Sequence, residues 1–258
     1  MVKFNKINYF VTANKTFNSI KKKFDKIKPD IIIHLGSNNP SYKKKFTHQD
    51  YRKNLFFTKQ IINYVEKNNH IKLILISSSQ IFKKSNKKVN EDSPVYEKDN
   101  YSKFRIESAK YLLTKKRKFK LNATVLILFN HDSKYRNPRF LLPRLIKAIK
   151  KNNINFLRKI YNQNISGDFS HAEDICNGIY LLIKKEKNPD KLILSSGKRT
   201  YINKIIKVFN KKIKYTKLNK NFKKNHNLIG NNQLAKKILG WKMKKNIIKA
   251  ANEIYKFV

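Results

Sequence analysis

The chain has 258 residues, 40% of them hydrophobic, and a formal net charge of +44 at pH 7. This length and apolar content are enough for a sizeable core and exclude wholesale disorder, and a single cysteine, Cys176, excludes a disulfide framework or a multi-cysteine zinc site. No apolar run approaches the roughly 18 residues of a membrane-spanning helix, and none follows the basic N-terminus, so we expect a cytoplasmic protein without a membrane partner.

The positive charge comes almost entirely from lysine. Of the 60 basic residues, 52 are Lys and 8 are Arg, whereas arginine is the residue that reads bases and phosphates in a bidentate manner. The lysines are spread along the whole chain with abundant Asn and Ile, a pattern that codon bias in an A/T-rich genome produces. We therefore expect no specific nucleic-acid partner, while a basic polyanion-binding protein stays open as an alternative.

Buried strands and helices alternate along the first half of the chain. Apolar runs predict strands over residues 7–12, 31–35, 71–76 and 123–129, and helical spacing predicts helices over 17–27, 51–67, 101–116 and 138–151. This alternation predicts βαβ units and a parallel sheet covered on both faces, which is an α/β fold.

Smaller, mixed elements follow in the second half. Helices are predicted over 172–184, 202–209, 232–239 and 246–258, with short strands over 191–195 and 211–216. We expect this half to form a lid over the carboxyl ends of the strands. We also expect Cys176 to be a small core residue, Glu173 and Asp174 to have structural roles at a helix start, and Trp241 to be a packing anchor.

Polar side chains follow the predicted strands at the edge where ligands bind in parallel sheets. Ser77, Ser78 and Ser79 end one strand, and Tyr101 and Arg105 lie about twenty residues later, at i and i+4 on one helical face. A cation so placed stabilises a phenolate and lets the tyrosine act as an acid and base. The alternative is a helix-start aromatic next to a solvated charge.

Six segments, in order, resemble motifs of a single family. They are residues 28–37, 54–58, 77–82, 128–133, 168–174 and 236–242. The most specific is Leu-Phe-Asn-His-Asp-Ser at 128–133, which is similar to a Leu-Phe-Asn-His-Glu-Ser motif. The chain thus resembles the extended short-chain dehydrogenases/reductases, also called the NAD-dependent epimerase/dehydratase family, and within them the GDP-mannose 4,6-dehydratases.

The resemblance implies a Rossmann-type sheet that binds NADP (or NAD) and a GDP-sugar under the C-terminal half. It implies that Tyr101 takes the proton of the sugar 4-hydroxyl while hydride leaves for the nicotinamide, and that Ser78 hydrogen-bonds the C4 oxygen. Position 80 would drive the elimination of water, and Asn130 would touch the substrate. The residues implied to line the cofactor are Leu35, Gly36, Ser37, Asn38, Asn39, Arg105, His131 and Arg136.

The departures from the family pattern fall on the chemistry. Gln80 stands in place of a glutamate, Arg105 in place of a lysine, and Gly167 in place of an arginine that clamps a substrate phosphate. An amide cannot exchange the C5 proton, so elimination loses its base. The guanidinium of Arg105 keeps the charge but is bulkier and planar.

The glycines depart as well. The six glycines, at 36, 167, 178, 197, 230 and 240, contain no Gly-x-x-Gly-x-x-Gly or Gly-x-Gly-x-x-Gly spacing. We therefore expect the first βαβ unit, which cradles the dinucleotide phosphates, to be missing and the cofactor to bind weakly or not at all. Residues 1–150 are expected to form an N-terminally truncated Rossmann-like NAD(P)-binding domain. Residues 151–258 would form a small, mixed α/β substrate region interleaved with it.

The sequence thus predicts a GDP-mannose 4,6-dehydratase-like nucleotide-sugar dehydratase or epimerase, a lyase by resemblance, with impaired or altered catalysis. The alternative is a non-catalytic relative that binds a nucleotide sugar or pairs with an intact homologue. By the same resemblance, we expect a homo-oligomer or such a pair.

Overall fold

The computed structural model describes residues 16–36, 40, 45–209 and 227–257. Its helices, in chain order, are α1 (Phe17–Ile27), α2 (His48–Lys67), α3 (Asn100–Phe119), α4 (Leu141–Lys150), α5 (Ile154–Asn162), α6 (Ala172–Ile183), α7 (Ile202–Phe209), α8 (Gln233–Leu239) and α9 (Ile247–Phe257). Its strands are β1 (Ile31–His34), β2 (Lys72–Ser78), β3 (Ala123–Leu128), β4 (Asn130–Asp132), β5 (Ser166–Gly167), β6 (Phe169–His171), β7 (Lys191–Leu194) and β8 (Thr200–Tyr201).

The central sheet has four parallel strands in the order β1-β2-β3-β7. Its register places Ser78 opposite Leu128, and Leu128 opposite Leu194, so that β2, β3 and β7 end at one level. His34 lies opposite Leu75, and β1 therefore ends three residues before β2 does. The carboxyl ends of all four strands open at the same edge of the sheet.

Helices cover both faces of the sheet, and because side chains alternate along each strand, successive residues pack against opposite faces. Leu73, Leu75 and Ile127 pack with α2 and α3 on one face. Ile74 and Leu126 pack with α6 and α8 on the other. The predicted α/β fold with a covered parallel sheet is confirmed.

A separate apolar cluster joins α4, α5, α7 and α9. Two small pairings lie beside it, β4 parallel to β6 and β5 antiparallel to β8. The strand β7 follows these elements in sequence but pairs with β3 in the central sheet. The division at residue 150 stays a prediction. No helix of the described ranges has the length and apolar content to cross a bilayer.

Most predicted elements lie within a few residues of their expected bounds, and the differences have local causes. The helix predicted from residue 138 begins at Leu141 because Asn137 forms a turn that accepts hydrogen bonds from the backbone N–H groups of Arg139 and Phe140. Helix α5 was not predicted; Asn153 caps it by accepting from the N–H of Phe156 at 3.0 Å. The predicted strands 7–12 and 211–216 lie outside the described residues.

The prediction that Cys176 is a core residue is wrong, because its side chain is exposed. Helix α6 turns Ile175, Gly178 and Leu182 inward, and Cys176 lies on the opposite side. At Gly178 the helix approaches the sheet so closely that a Cβ would lie 2.6 Å from Leu194 Cδ1.

Trp241 anchors the segment after α8, as predicted. It is fully buried, and its Nε1 donates to the carbonyl oxygen of Asp174 at 2.8 Å. Gly240 ends α8 in the left-handed region, with φ of 62°. The Asp174 carboxylate accepts from the backbone N–H groups of Lys244 and Lys245 at 3.1 and 2.7 Å, which is the structural role expected of it.

Replacing Trp241 by Ala should lower the free energy of unfolding by about 3–5 kcal/mol, because it leaves a cavity and an unpaired carbonyl. Urea denaturation followed by circular dichroism measures this loss. Tyr135, which is 78% exposed, provides the matched control, since its change to Ala should leave the unfolding midpoint nearly unchanged. Equal effects of the two changes would contradict the anchoring role.

Candidate active site

A cavity of about 340 Å³ lies at the carboxyl ends of the strands, and we call it the cleft. Its walls come from the end of β2, the first turns of α3, and the segment after β3. The predicted site residues that line it are Leu35, Ser78, Gln80, Tyr101, Arg105, Asn130, His131 and Arg136. Gly36 does not line the cleft, and Ser37, Asn38 and Asn39 lie outside the described residues.

Serine hydroxyls form the floor of the cleft where β2 ends. Ser78 is the N-cap of a short 3₁₀ helix, Ser79–Ile81, and its Oγ accepts from the backbone N–H of Gln80 at 3.3 Å. The Ser77 hydroxyl is buried, and no hydrogen-bond partner for it occurs among the described residues. A buried hydroxyl without a protein partner is costly, so it favours a polar ligand at this wall.

The first turn of α3 is fixed by a capping box between Asp99 and Ser102. The Asp99 carboxylate accepts from the N–H of Ser102 at 2.7 Å, and the Ser102 hydroxyl oxygen accepts from the N–H of Asp99 at 3.0 Å. Because the helix begins here, its first two turns place Tyr101 and Arg105 at the cleft.

Arg105 is buried rather than a solvated charge, with only 5% of its surface exposed. Its Nη1 donates to the Ile76 carbonyl oxygen at 2.7 Å. The guanidinium carbon lies 5.2 Å from the ring centroid of Tyr101 and 5.0 Å from that of Phe104. A cation and a phenol therefore share this wall, in cation–π contact.

Another wall of the cleft consists of residues that follow β3. Asn130 Nδ2 donates to the Asp168 carbonyl oxygen at 3.4 Å. His131 Nδ1 lies 2.8 Å from the Phe129 carbonyl oxygen, which assigns the proton to Nδ1. Burial lowers the pKa of His131, so the ring is neutral at pH 7.

Arg136 provides a second cation at the cleft. Its Nε lies 3.5 Å from Asp132 Oδ1, and its guanidinium carbon lies 3.6 Å from the Phe140 ring centroid. Burial lowers the pKa of Arg136, while the charges of Asp132 and Tyr101 act in the opposite direction. Burial raises the pKa of the Asp132 carboxyl to about 6, against the effect of Arg136. Arg136 and Tyr101 thus line the same cleft, a proximity that the motif alone did not indicate.

Gln80, which lines the cleft, is in contact with Lys98. The Lys98 ammonium donates to Gln80 Oε1. Sequence reasoning missed Lys98 because it lies in the polar loop before α3, where a lysine has no distinctive spacing.

Asp168 fixes the loops beneath Asn130. Its buried carboxylate accepts from the backbone N–H groups of Ser196, Gly197 and Gly230 at 2.6, 2.9 and 3.2 Å. Burial raises its pKa, and these hydrogen bonds act in the opposite direction. The 168–174 motif contains Asp168, but the sequence does not indicate its three hydrogen-bond partners, because they are remote in sequence.

A family model described as GDP-mannose 4,6 dehydratase matches residues 12–254 of the chain. The chain belongs to the GDP-mannose 4,6-dehydratase family. Two relatives from Arabidopsis thaliana, GDP-mannose 4,6 dehydratase 1 and 2, are 24% and 22% identical to it. The alignments cover 88% and 87% of this chain but 67% and 64% of the relatives, so the chain spans about two-thirds of their length.

Solved structures show the same fold at low identity. The UDP-glucuronic acid 4-epimerase from Bacillus cereus, in complex with NAD, has a TM-score of 0.73 at 19% identity, over 92% of this chain and 76% of its own. The dTDP-glucose 4,6-dehydratase from Bacillus anthracis, in complex with NAD, has a TM-score of 0.75 at 14% identity, over 93% and 76%. The fold is therefore that of the Rossmann-type epimerases and dehydratases.

The buried side chain of His34, at the end of β1, leads us to predict that the stability of the fold depends on pH. Its Nε2 lies 2.9 Å from Thr58 Oγ1. Burial, and secondly the charge of Arg105, lowers its pKa from 6.5 to about 4. Between these values the unfolded chain binds a proton that the folded chain does not bind, so stability present above pH 6.5 is lost as the pH falls toward 4.

A His34→Gln variant lacks this titration. We expect the free energy of unfolding of the unaltered chain, measured relative to the variant, to decrease between pH 6.5 and 4 and to stay constant above 6.5. Urea denaturation at a series of pH values gives both curves. Parallel curves throughout this range would contradict the buried neutral state of His34.

Proposed function

We propose that the chain binds a nucleotide sugar of the GDP-mannose type in the cleft and acts on its hexose as a dehydratase whose elimination step is impaired. The observation that carries the proposal is the convergence of Ser78, Tyr101 and Asn130 on one cavity of a chain in this family. A hexose is small enough for a cavity of about 340 Å³, and its hydroxyls match this polar wall.

In this proposal, Tyr101 is the acid and base for the sugar C4 hydroxyl. Its ring contacts the Arg105 guanidinium, and Arg136 lines the same cleft, so two cations lie near the side chain that takes the proton. The Ser78 hydroxyl would hydrogen-bond the C4 oxygen from the end of β2, and the Asn130 amide would hold a sugar hydroxyl from the segment after β3.

Elimination of water requires removal of the C5 proton and departure of the C6 hydroxyl. Gln80 occupies the position for this step, and a side-chain amide does not accept a proton from carbon at neutral pH. The ammonium of Lys98, held on Gln80 Oε1, adds a further donor and no base. We therefore propose that the chain is slow at elimination rather than at sugar binding.

NADP, or NAD, is the cofactor that this chemistry requires, and it would accept the C4 hydride and return one to C6. The wall of the cleft suits its nicotinamide and ribose, since the Ser77 hydroxyl has no described partner there. We propose that Leu35, His131 and Arg136 hold it with Arg105, as the family resemblance implies. No glycine pair of this sequence has the spacing of a dinucleotide turn, so we propose that NADP binds weakly.

A non-catalytic binder is the second candidate, favoured by position 80 of the cleft, which carries an amide in contact with an ammonium rather than a carboxylate. Such a chain would bind the nucleotide sugar alone or pair with an intact homologue. We propose for either candidate a cytoplasmic homo-oligomer or such a pair.

Binding separates these candidates from a polyanion-binding protein. We expect titration calorimetry to show GDP-mannose binding that persists at about 0.15 M salt, and we expect Tyr101→Phe and Ser78→Ala to weaken it. Binding by a diffuse lysine surface would instead be lost with salt and would be unaffected by either change. Heparin binding without GDP-mannose binding would overturn the proposal.

Gln80→Glu should restore the base. With NADP present, we expect it to form the 4-keto-6-deoxy product from GDP-mannose about a hundredfold faster than the unaltered chain, because general-base catalysis contributes on this scale. Gln80→Met, which is similar in size but has no acid, is the matched control and should stay slow.

Absorbance of the keto sugar in alkali measures the product. An unaltered chain that is as fast as the glutamate variant would contradict the impaired step. GDP-mannose binding without product from either chain would leave the non-catalytic binder as the function.

A further inference from the structure

A second cavity, of about 390 Å³, adjoins the cleft, and we call it the lysine cavity. Ser79, Gln80 and Asn130 line both cavities. The two cavities therefore adjoin at Gln80. The other residues that line it are Phe82, Lys83, Lys84, Tyr96, Lys98, Asn227 and Leu228.

The loop before α3 folds back on itself to form one wall of the lysine cavity. Phe82 and Val95 form an antiparallel bridge. The backbone N–H of Lys83 donates to the Pro94 carbonyl oxygen at 3.0 Å, and that of Tyr96 donates to the Ile81 carbonyl oxygen at 2.8 Å. This short ladder places lysines from both sides of the loop along one wall.

A second wall of the lysine cavity, which we call the facing wall, is formed by Asn227 and Leu228. A later part of the same loop holds this segment in place. Val89 donates its backbone N–H to the Ile229 carbonyl oxygen at 2.9 Å and accepts from the N–H of Asn231 at 2.7 Å. This pairing fixes the segment after residue 226 against the loop, so that Asn227 and Leu228 line the cavity together with the lysines. The walls are thus joined by backbone hydrogen bonds rather than by flexible side chains.

The cations of the lysine cavity are not neutralised by the part of the chain that the structure describes. Among those residues, Lys83, Lys84 and Lys98 form no ion pair. The contact of Lys98 is with a neutral amide, Gln80 Oε1. Three lysines without a carboxylate partner among the described residues, around a partly apolar cavity, favour an anionic ligand with an apolar part.

Gly167 lies behind the facing wall. A Cβ there would lie 3.0 Å from Asn227 Cβ, so the position has no room for a side chain without displacing Asn227. The nearby Arg199 is engaged, since its Nη1 donates to Ser166 Oγ at 3.1 Å and to the Asn227 carbonyl oxygen at 3.2 Å. Among the lining residues of the lysine cavity, the cations therefore come from the loop side.

We infer that Lys83, Lys84 and Lys98 bind the diphosphate of the nucleotide sugar, with its hexose in the cleft; this inference rests on the proposed function. The diphosphate carries two negative charges next to the hexose, and Gln80 lies at the junction between the two cavities. The apolar side chains of Phe82, Tyr96 and Leu228 offer a surface for the nucleoside.

A pair of double variants tests the inference. Lys83→Gln with Lys84→Gln removes two cations from the cavity and spares Lys98, which touches Gln80. Lys87→Gln with Lys88→Gln is the matched control, because it removes the same charge from exposed positions of the same loop outside the cavity. Titration calorimetry with GDP-mannose, GDP and mannose, each at two salt concentrations, compares the three chains.

We expect the Lys83 and Lys84 changes to weaken GDP-mannose and GDP about tenfold or more and to reduce the salt dependence of their affinity. The control should bind both ligands as the unaltered chain does. Equal affinities for the two double variants would overturn the inference while leaving the proposed function in place.

The two proposals fail differently. If GDP binding depends on Lys83 and Lys84 but GDP-mannose binds no more tightly than GDP, the proposed substrate would be overturned and the diphosphate site supported. The absence of binding by both GDP and GDP-mannose to the unaltered chain would overturn both proposals.

Discussion

The cleft depends on one buried cation. Arg105 reaches from α3 to the carbonyl oxygen of Ile76 near the end of β2, at 2.7 Å. A guanidinium in this position is tolerated only because it is hydrogen-bonded and faces the Tyr101 and Phe104 rings. The bond joins the helix that carries the phenol to the strand that carries the serines. The charge of Arg105 also contributes, after burial, to lowering the pKa of His34. Arg105 therefore affects both the cleft and the pH dependence of the stability of the fold.

The fold was largely predictable because it follows from local patterns. The apolar run at 123–129 gives a parallel strand buried on both faces, and the spacing of apolar residues gives the helices between the strands. The run at 31–35 also gives a strand, but this strand lies at the edge of the sheet, where Ile31 and Leu35 are exposed. Short elements such as β4 and β6 escaped prediction, since two or three residues form a strand only through a partner remote in sequence. Cys176 was misplaced because one residue of a helix changes face with a rotation that local composition does not determine.

The site was predictable to the extent that it lies at strand ends. Motif positions such as Ser78, Tyr101 and Asn130 converge because parallel strands end at one edge. The burial of Arg105, the presence of Arg136 and Tyr101 in one cleft, and the contact between Lys98 and Gln80 depend on how separate segments pack. The sequence shows that position 80 carries no acid, and the packing adds that cations surround this position.

The central claim is that a hexose binds between β2 and α3 in a chain of this family. A crystal structure of the chain with GDP-mannose tests it most directly. The account predicts the sugar C4 oxygen within hydrogen-bonding distance of both Ser78 Oγ and the Tyr101 hydroxyl. A hexose bound outside the cleft, with Ser78 and Tyr101 contacting only solvent, would contradict it.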